Sequence, residues 1–462
     1  MAKKVADQLV DTLEKAGVRR IYAVTGDSLN EVNEAVRKNG RLRWIHVRHE
    51  ETGAYAAAAE AQLTGELACC AGSSGPGHVH LINGLYDAQR SGARVLAIAS
   101  TIPSREFGTE YFQETNTIKL FDDCSYYNQV ATTPEQFPRM LQGAMQAAIS
   151  SRGVGVIGLP GDLAAENATA GLSSTFSFPT RQRVCPAEQE IRELADLLNN
   201  AKKVTLYCGI GAKDAHPELV QLAKYEKVRE NLRSAAAVRG KEEKIQPEYV
   251  ISVVDELSSD DAIFTVDTGM TCVWGARYLQ ATGMRKMLGS FNHGSMANAM
   301  PQAIGAALAY PGRQVVALCG DGGISMLLGD LATIVQYHLP IKLIVFNNRS
   351  LGMVKLEMEV AGLPDWQTTM LNPDFARVAL SMGMAGYNPD DVFPTLQKVF
   401  NADGPALVNI MTDPNALAMP PKIEFSQMLG FAQTMYKLMM EGRSKEVLDT
   451  IDTNLKHWKD VF

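Results

Sequence analysis

The feature that most constrains this chain is an alternation of short apolar or β-branched runs with longer helical patterns, and it starts twice. Before residue 160 the runs Arg20–Val24, Trp44–Val47, Leu67–Ala71, Arg94–Ala99 and Val154–Leu159 read as strands. From about Pro247 the pattern begins again with Ala262–Val266, Gln314–Cys319, Lys342–Phe346 and Ala406–Ile410. Strands separated by helices pair in parallel, because the crossover helix carries the chain back to the end it left. The expected fold is therefore α/β, with two doubly wound parallel-sheet domains. In such sheets ligands sit at the carboxyl ends of the strands. Glycine-rich turns fall there: Thr25-Gly26-Asp27-Ser28, Gly72 to Gly77, Asp267-Thr268-Gly269 and Gly320-Asp321-Gly322-Gly323.

Between the two halves, Pro179 to about Gln246 holds one βα beginning: Lys203–Cys208, the turn Gly209-Ile210-Gly211-Ala212 and a helix. A charged helix-like stretch, Tyr225 to Lys244, follows. Such a segment is thin for an independent doubly wound domain. Charge excludes other classes. Lys plus Arg number 44 against 51 Asp plus Glu, a net −7 spread without long runs, so there is no nucleic-acid footprint and no polybasic membrane patch. The longest apolar stretches are too short to span a bilayer, and Met1–Gly17 reads as an amphipathic helix rather than a signal peptide. The seven cysteines are an odd count without a metal-type C-x2-C pair, which makes a reducing cytoplasm the natural compartment.

Three constellations carry chemistry. Arg48-His49-Glu50-Glu51 follows a strand and opens an Ala-rich helix. Its acids are either favourable partners of the helix dipole or a carboxylate tuned by burial for proton transfer. Gly75-Pro76-Gly77, followed by His80, Asn83 and Asp87, is a weak signal that most often marks only a turn. The strongest is Gly320-Asp321-Gly322 after one strand with Asn347-Asn348 after the next. Hard oxygen ligands on neighbouring strand ends suit Mg²⁺, which completes its octahedron with phosphate oxygens and water. Gly322 and Gly323 let a diphosphate approach the backbone at a helix N-terminus.

These motifs resemble the thiamine-diphosphate-dependent pyruvate oxidase and pyruvate:quinone dehydrogenase group of the acetolactate synthase superfamily. Besides GDG…NN, Val47 to Glu51 resembles that group's activating-glutamate segment, Gly289 to Pro301 its segment beneath the thiazolium, and Tyr111 to Thr115 its substrate-side loop. The resemblance implies an N-terminal pyrimidine-binding domain over 1–180 and a remnant of a flavin-type domain over 181–245. A diphosphate- and Mg²⁺-binding domain over 246–420 and a helical tail over 421–462 follow.

It also implies roles. Glu50 would hydrogen-bond the aminopyrimidine, and Met296 would wedge the cofactor into its bent form, although plain core packing is the usual work of a methionine. Gly294 and Ser295 would line the same wall. Asp321, Asn348 and the Ser350 carbonyl would ligate Mg²⁺. Gly322, Gly323, Arg349, Leu351, Gly352 and Val354 would surround the diphosphate. Gly26, Pro76 and Asn83 would contact the cofactor from the other domain, with Phe112, Gln113 and a mobile Met353 beside the substrate. Because the half-sites lie on different domains that meet between subunits in the family, a dimer or tetramer is implied.

The implied reaction is oxidative decarboxylation of pyruvate to acetate and CO₂ through a thiamine diphosphate carbanion, with electrons passing through FAD to a quinone. Oxygen with phosphate, giving acetyl phosphate, is the rival acceptor system. A non-oxidative decarboxylase or acetolactate-type ligase also fits the motifs, and a non-catalytic assembly homologue is the rival from another class. The match departs from the family near Val228–Arg229, where roughly a hundred residues, a small domain's worth, of the FAD-holding unit are absent. A natural deletion, an engineered one or a segment missing from this sequence would each explain the gap, and the smooth match on both sides favours the last. At the C-terminus Leu448, Ile451, Leu455, Trp458 and Phe462 recur at helical spacing. This is either a helix packed on its own protein or a contact with the inner face of the cell membrane, where a quinone would be met.

Overall fold

The computed structural model describes residues 3–169, 185–206, 208–212, 215–222, 245–416 and 425–458. The first sheet holds β1 (Arg20–Ala23), β2 (Arg43–His46), β3 (Ala68–Gly72), β4 (Val95–Thr101), β5 (Tyr127–Val130) and β6 (Val154–Pro160), in the order β2-β1-β3-β4-β6-β5. The second holds β7 (Ile263–Val266), β8 (Lys286–Gly289), β9 (Val315–Gly320), β10 (Ile341–Asn347), β11 (Ala385–Tyr387) and β12 (Ala406–Met411), in the order β11-β12-β10-β9-β7-β8. Every pairing is parallel. Read from β8, the second order repeats the first strand for strand. In each sheet the chain leaves its first strand to one side and returns on the other. That places a topological switch point, where crevices open, between β1 and β3 and between β7 and β9.

All nine strands expected in the two halves form, with ends shifted by a residue or two. Three more, β5, β8 and β11, carry little local signal and lie on sheet edges. The expected strand Lys203–Cys208 does not form: its described residues are irregular, with Val204 and Leu206 exposed. No described strand lies beside it, and an isolated strand leaves its backbone groups unpaired. The described part of this segment is helical at Glu188–Asn200 and His216–Leu222. Tyr225 to Lys244 lies outside the described residues.

The two halves are joined through the helix Glu50–Thr64. Its alanines leave almost no polar face, so it is buried nearly all round. It packs on the helix Ala299–Ala309 so closely that a Cβ at Gly305 would lie 2.1 Å from the Ala56 carbonyl oxygen. Polar pins flank this contact. The Arg48 amide donates to Asp330 (2.8 Å), and Arg20 pairs with Glu60 and donates to the Leu308 carbonyl. The tail forms helices Phe425–Met440 and Ser444–Trp458. The last helix buries Val447, Thr450 and Asn454 and exposes Leu448 and Ile451, whereas Phe462 lies outside the described residues. Among the described residues no helix is long and apolar enough to cross a membrane.

Candidate active site

At the second switch point a cleft is lined by Thr268 to Thr271 and Trp274 after β7, Met296, Gly320 to Gly323 at the end of β9 and beyond it, Phe346 near the end of β10, and Asn348 and Ser350 to Val354 after it. Local chemistry builds it. Gly320 is the N-cap of the helix Asp321–Met326, so the amides of that helix's first turn face outward. A Cβ at Gly323 would lie 2.3 Å from the Asp267 carboxylate, and one at Gly322 would lie 3.0 Å from Met296 and Leu351. Beneath the loop Asp267 is buried and accepts the amides of Ala299 (2.9 Å) and Gly320 (3.1 Å). Burial pushes its carboxyl up to about 7.

Asp321 is 3% exposed. Its Oδ1 accepts the Gly322 amide (3.0 Å), its Oδ2 accepts the Asn372 amide (2.7 Å), and burial raises its pKa above the ordinary aspartate value. The Asn348 side-chain oxygen Oδ1 accepts the Ser350 backbone amide (3.0 Å), which folds that loop over the strand end. Ser350 Oγ and Trp274 Nε1 are buried with no hydrogen-bond partner among the described residues. Polar atoms left in that state are costly unless a ligand or water meets them.

The first switch point gathers a second set. A Cβ at Gly26 would overlap Ser73, and Ser74 donates to Gln113 Oε1 (2.8 Å). Glu50 is 7% exposed; its Oε2 lies 3.0 Å from His80 Nδ1, and a Cβ on Gly77 would come within 3.2 Å of its Oε1. His80 stacks on His49 with ring centroids 4.4 Å apart. His49 in turn accepts the Glu51 amide at the start of the helix. Phe112 is 78% exposed on a loop where Glu110 and Gln113 adopt positive φ.

The residues read from sequence thus divide. Met296, Asp321, Gly322, Gly323, Asn348, Ser350, Leu351, Gly352, Met353 and Val354 meet in one cleft. Gly26, Glu50, Pro76, Phe112 and Gln113 belong to the other sheet. Asn83 joins the halves by donating to Glu51 (2.8 Å) and Ser295 (3.0 Å) and facing His293 (2.8 Å). Arg349 and Gly294 do not line the cleft. Sequence reasoning missed Thr268 to Thr271 and Trp274, although the turn after β7 was visible, and missed Asn372, which no motif marked.

Comparison with known proteins decides the family. Residues 3–120 match the thiamine pyrophosphate enzyme N-terminal TPP binding domain, and residues 267–410 match the C-terminal TPP binding domain. A Bacillus subtilis protein described as a putative thiamine pyrophosphate-containing protein, YdaP, is 31% identical over 97% of this chain and 98% of its own. The chain belongs to the thiamine pyrophosphate enzymes. Within that family it is also similar to a Lactiplantibacillus plantarum pyruvate oxidase (28% identical, 83% of each chain). A maize chloroplastic acetolactate synthase 2 is 24% identical over 90% of this chain and 87% of its own. The alignment with the Bacillus protein runs over 564 positions against 462 residues here, so at least 102 positions of that alignment have no counterpart in this chain.

The second cleft fits the family's cofactor in its own terms. It offers glycines that a side chain would crowd, a helix start for phosphate, hard oxygen donors on Asp321 and Asn348, and unpartnered donors on Ser350 and Trp274.

Proposed function

We propose that this chain is a thiamine-diphosphate- and Mg²⁺-dependent enzyme that decarboxylates a short 2-oxo acid, pyruvate, in sites shared between two copies. The observation that carries this reading is the division of the site. The Asp321–Asn348 cleft is lined by residues 268–354 alone, whereas Glu50 is held at the switch point of the other sheet. A half-site from one copy facing the complementary half-site of another completes the constellation and makes the protein a homo-oligomer. We take 1–180 and 246–420 as the two cofactor domains, 181–245 as a central remnant and 421–462 as a tail.

Bound thiamine diphosphate supplies a thiazolium that accepts the electron pair when CO₂ leaves. The chain supplies position and charge. Asp321, Asn348 and the Ser350 carbonyl hold Mg²⁺, and the Gly323 amide takes the diphosphate, with Gly322 giving it room to approach. Leu351, Gly352 and Val354 close over it, Arg349 adds charge at the rim, and Met296 gives an apolar wall. On the other half-site Gly26, Pro76 and Asn83 shape the pocket, with Gly294 and Ser295 beside Asn83. Glu50, dry and held on Oε2 by His80, presents Oε1 to share a proton with a ring nitrogen. Phe112, Gln113 and Met353 bound the substrate and exclude water.

Likeness to pyruvate oxidase supports an oxidative outcome, acetate with electrons passed to a quinone or oxygen, and the exposed Leu448 and Ile451 offer a contact for a membrane surface. The described central residues form the helices Glu188–Asn200 and His216–Leu222, a short turn of helix at Ile210–Ala212 and irregular chain, with no sheet among the described residues of this segment. The missing positions favour the second reading, non-oxidative decarboxylation or acetolactate formation. Turnover of pyruvate with the cofactor and Mg²⁺, with and without an electron acceptor, separates them by product. Acetate that appears only with acceptor supports the oxidative form, and acetaldehyde or acetolactate alone overturns it. No turnover by a chain that retains the cofactor would sink the enzyme reading in favour of an assembly homologue.

A further inference from the structure

Behind Asp321 runs a chain of side-chain amides of which the sequence motifs mark only Asn347. Asn372 Nδ2 donates to Asp321 Oδ2 (2.7 Å) and to Asn347 Oδ1 (2.9 Å). Asn347 donates to Asn409 (3.0 Å) and Asn409 to Asn388 (2.8 Å). Asn388 ends the chain on both oxygens of Asp374, each at 3.0 Å. The residues come from the end of β10, from within β12, from just beyond β11, and from the segment before the helix Phe375–Ser381, so the chain crosses neighbouring strands. Its direction is set by chemistry. The carboxylates at either end can only accept while ionised, and Asn372 spends both N–H bonds, one on each neighbour.

Stability alone does not account for this. Asn347 and Asn409 are 2% and 5% exposed, positions where apolar side chains would pack without desolvating amides. A fully paired polar network does fix orientation, because turning one amide unpairs the next. At its end, Asp321 is held on Oδ2 by Asn372 and on Oδ1 by the Gly322 amide, which locks the carboxylate plane.

We propose that Asn372, backed by the Asn347–Asn409–Asn388 chain, is a positioning residue that orients the Asp321 carboxylate for a divalent cation. This rests on the proposed function, in which Asp321 ligates Mg²⁺. Mg²⁺ demands near-ideal octahedral geometry, whereas Ca²⁺ accepts irregular ligands, so loss of orientation penalises Mg²⁺ more.

The test is calorimetric titration of Mg²⁺, and separately Ca²⁺, into the full chain with thiamine diphosphate, together with the melting temperature of the cofactor-free protein. Asn372→Ala is expected to raise the half-saturating Mg²⁺ by about tenfold or more, as loss of partners behind a metal ligand does, with a smaller rise for Ca²⁺. Asn388→Ala, which keeps the direct contact to Asp321, should raise it a few-fold in the same direction and serves if Asn372→Ala does not fold. An Mg²⁺ requirement unchanged from the parent, with only the melting temperature lowered, overturns the proposal and leaves the chain a structural network. A parent chain that holds no thiamine diphosphate at any Mg²⁺ concentration overturns the underlying reading instead.

Discussion

After β1 and β3 the chain turns through Gly26 and through Ser73 to Gly77; after β7 and β9 it turns through Thr268-Gly269 and Gly320 to Gly323. The strand orders are the same and the crevices equivalent, yet the chemistry delivered to them differs. The second sheet offers a carboxylate, an asparagine and glycine amides at a helix start, which suit a cation and a diphosphate. The first offers hydroxyls of Ser28, Ser73 and Ser74 and a dry carboxylate beside a histidine, which suit a neutral ring that shares a proton. Topology makes the crevice and a few strand-end residues decide its use.

The sharpest way to break this contrast is to cripple each half separately. Asp321→Ala should reduce Mg²⁺-dependent retention of thiamine diphosphate by about a hundredfold or more, the upper range for disrupting a metal's support. Glu50→Gln should leave retention within a few-fold of the parent and cut turnover by about 10²- to 10⁴-fold, the range for a lost proton-transfer group. Equilibrium dialysis and steady-state rates on the same preparations read both. Equal losses of binding in the two variants would mean that the sheets do not divide the work. Co-expressing the two variants, which puts an intact pair of half-sites in each mixed dimer, should recover roughly a quarter of parent activity if a random two-fold assembly shares its sites.

A smaller effect tests how the halves are joined. Gly305→Val would drive a side chain into the Ala56 carbonyl, where even a Cβ would sit at 2.1 Å. The helices must separate, at a cost of about 3 kcal/mol or more from overpacking. Denaturant unfolding should show a lower midpoint, or two transitions as the halves uncouple. An unchanged midpoint would mean that the two helices do not meet in this way.

How much of this was legible in the sequence follows from which signals are local. Central strands such as Val95–Thr101 and Ile341–Asn347 are buried on both faces, so they must be continuous apolar runs and announce themselves. Edge strands need not. Tyr127-Asn128-Gln129-Val130 and Ala385-Gly386-Tyr387 pair on one side only and are placed by tertiary contact. Lys203–Cys208 shows the converse, strand-like residues with no described neighbour to pair with. The site divides in the same way. Asp321, Asn348 and Glu50 were readable because each follows a strand in a compact motif. Thr268 to Thr271 and Asn372 reach the cleft through loops whose role exists only once β7, β9 and β10 lie side by side.

The smallest expected effect concerns Asp87, on the helix Ile82–Arg90 of the first half. It is fully buried and accepts Ser290 Oγ (2.8 Å) and Gln302 Nε2 (3.4 Å) from the second half. Burial pushes its carboxyl up to about 6 despite those donors. The unfolded chain releases this proton near the ordinary aspartate value of about 4, so between about pH 4 and pH 6 the folded state binds the extra proton. Stability is therefore full below about pH 4 and declines as pH rises to about 6, by at most about 3 kcal/mol. Asp87→Asn keeps the shape and an acceptor for Ser290 but carries no charge to bury. Denaturant midpoints should show the variant ahead of the parent at pH 7, with the advantage shrinking to nothing by about pH 4. An advantage of equal size at both pH values would place the effect in packing, and the joint between the halves would then hold a neutral hydrogen bond rather than a buried charge.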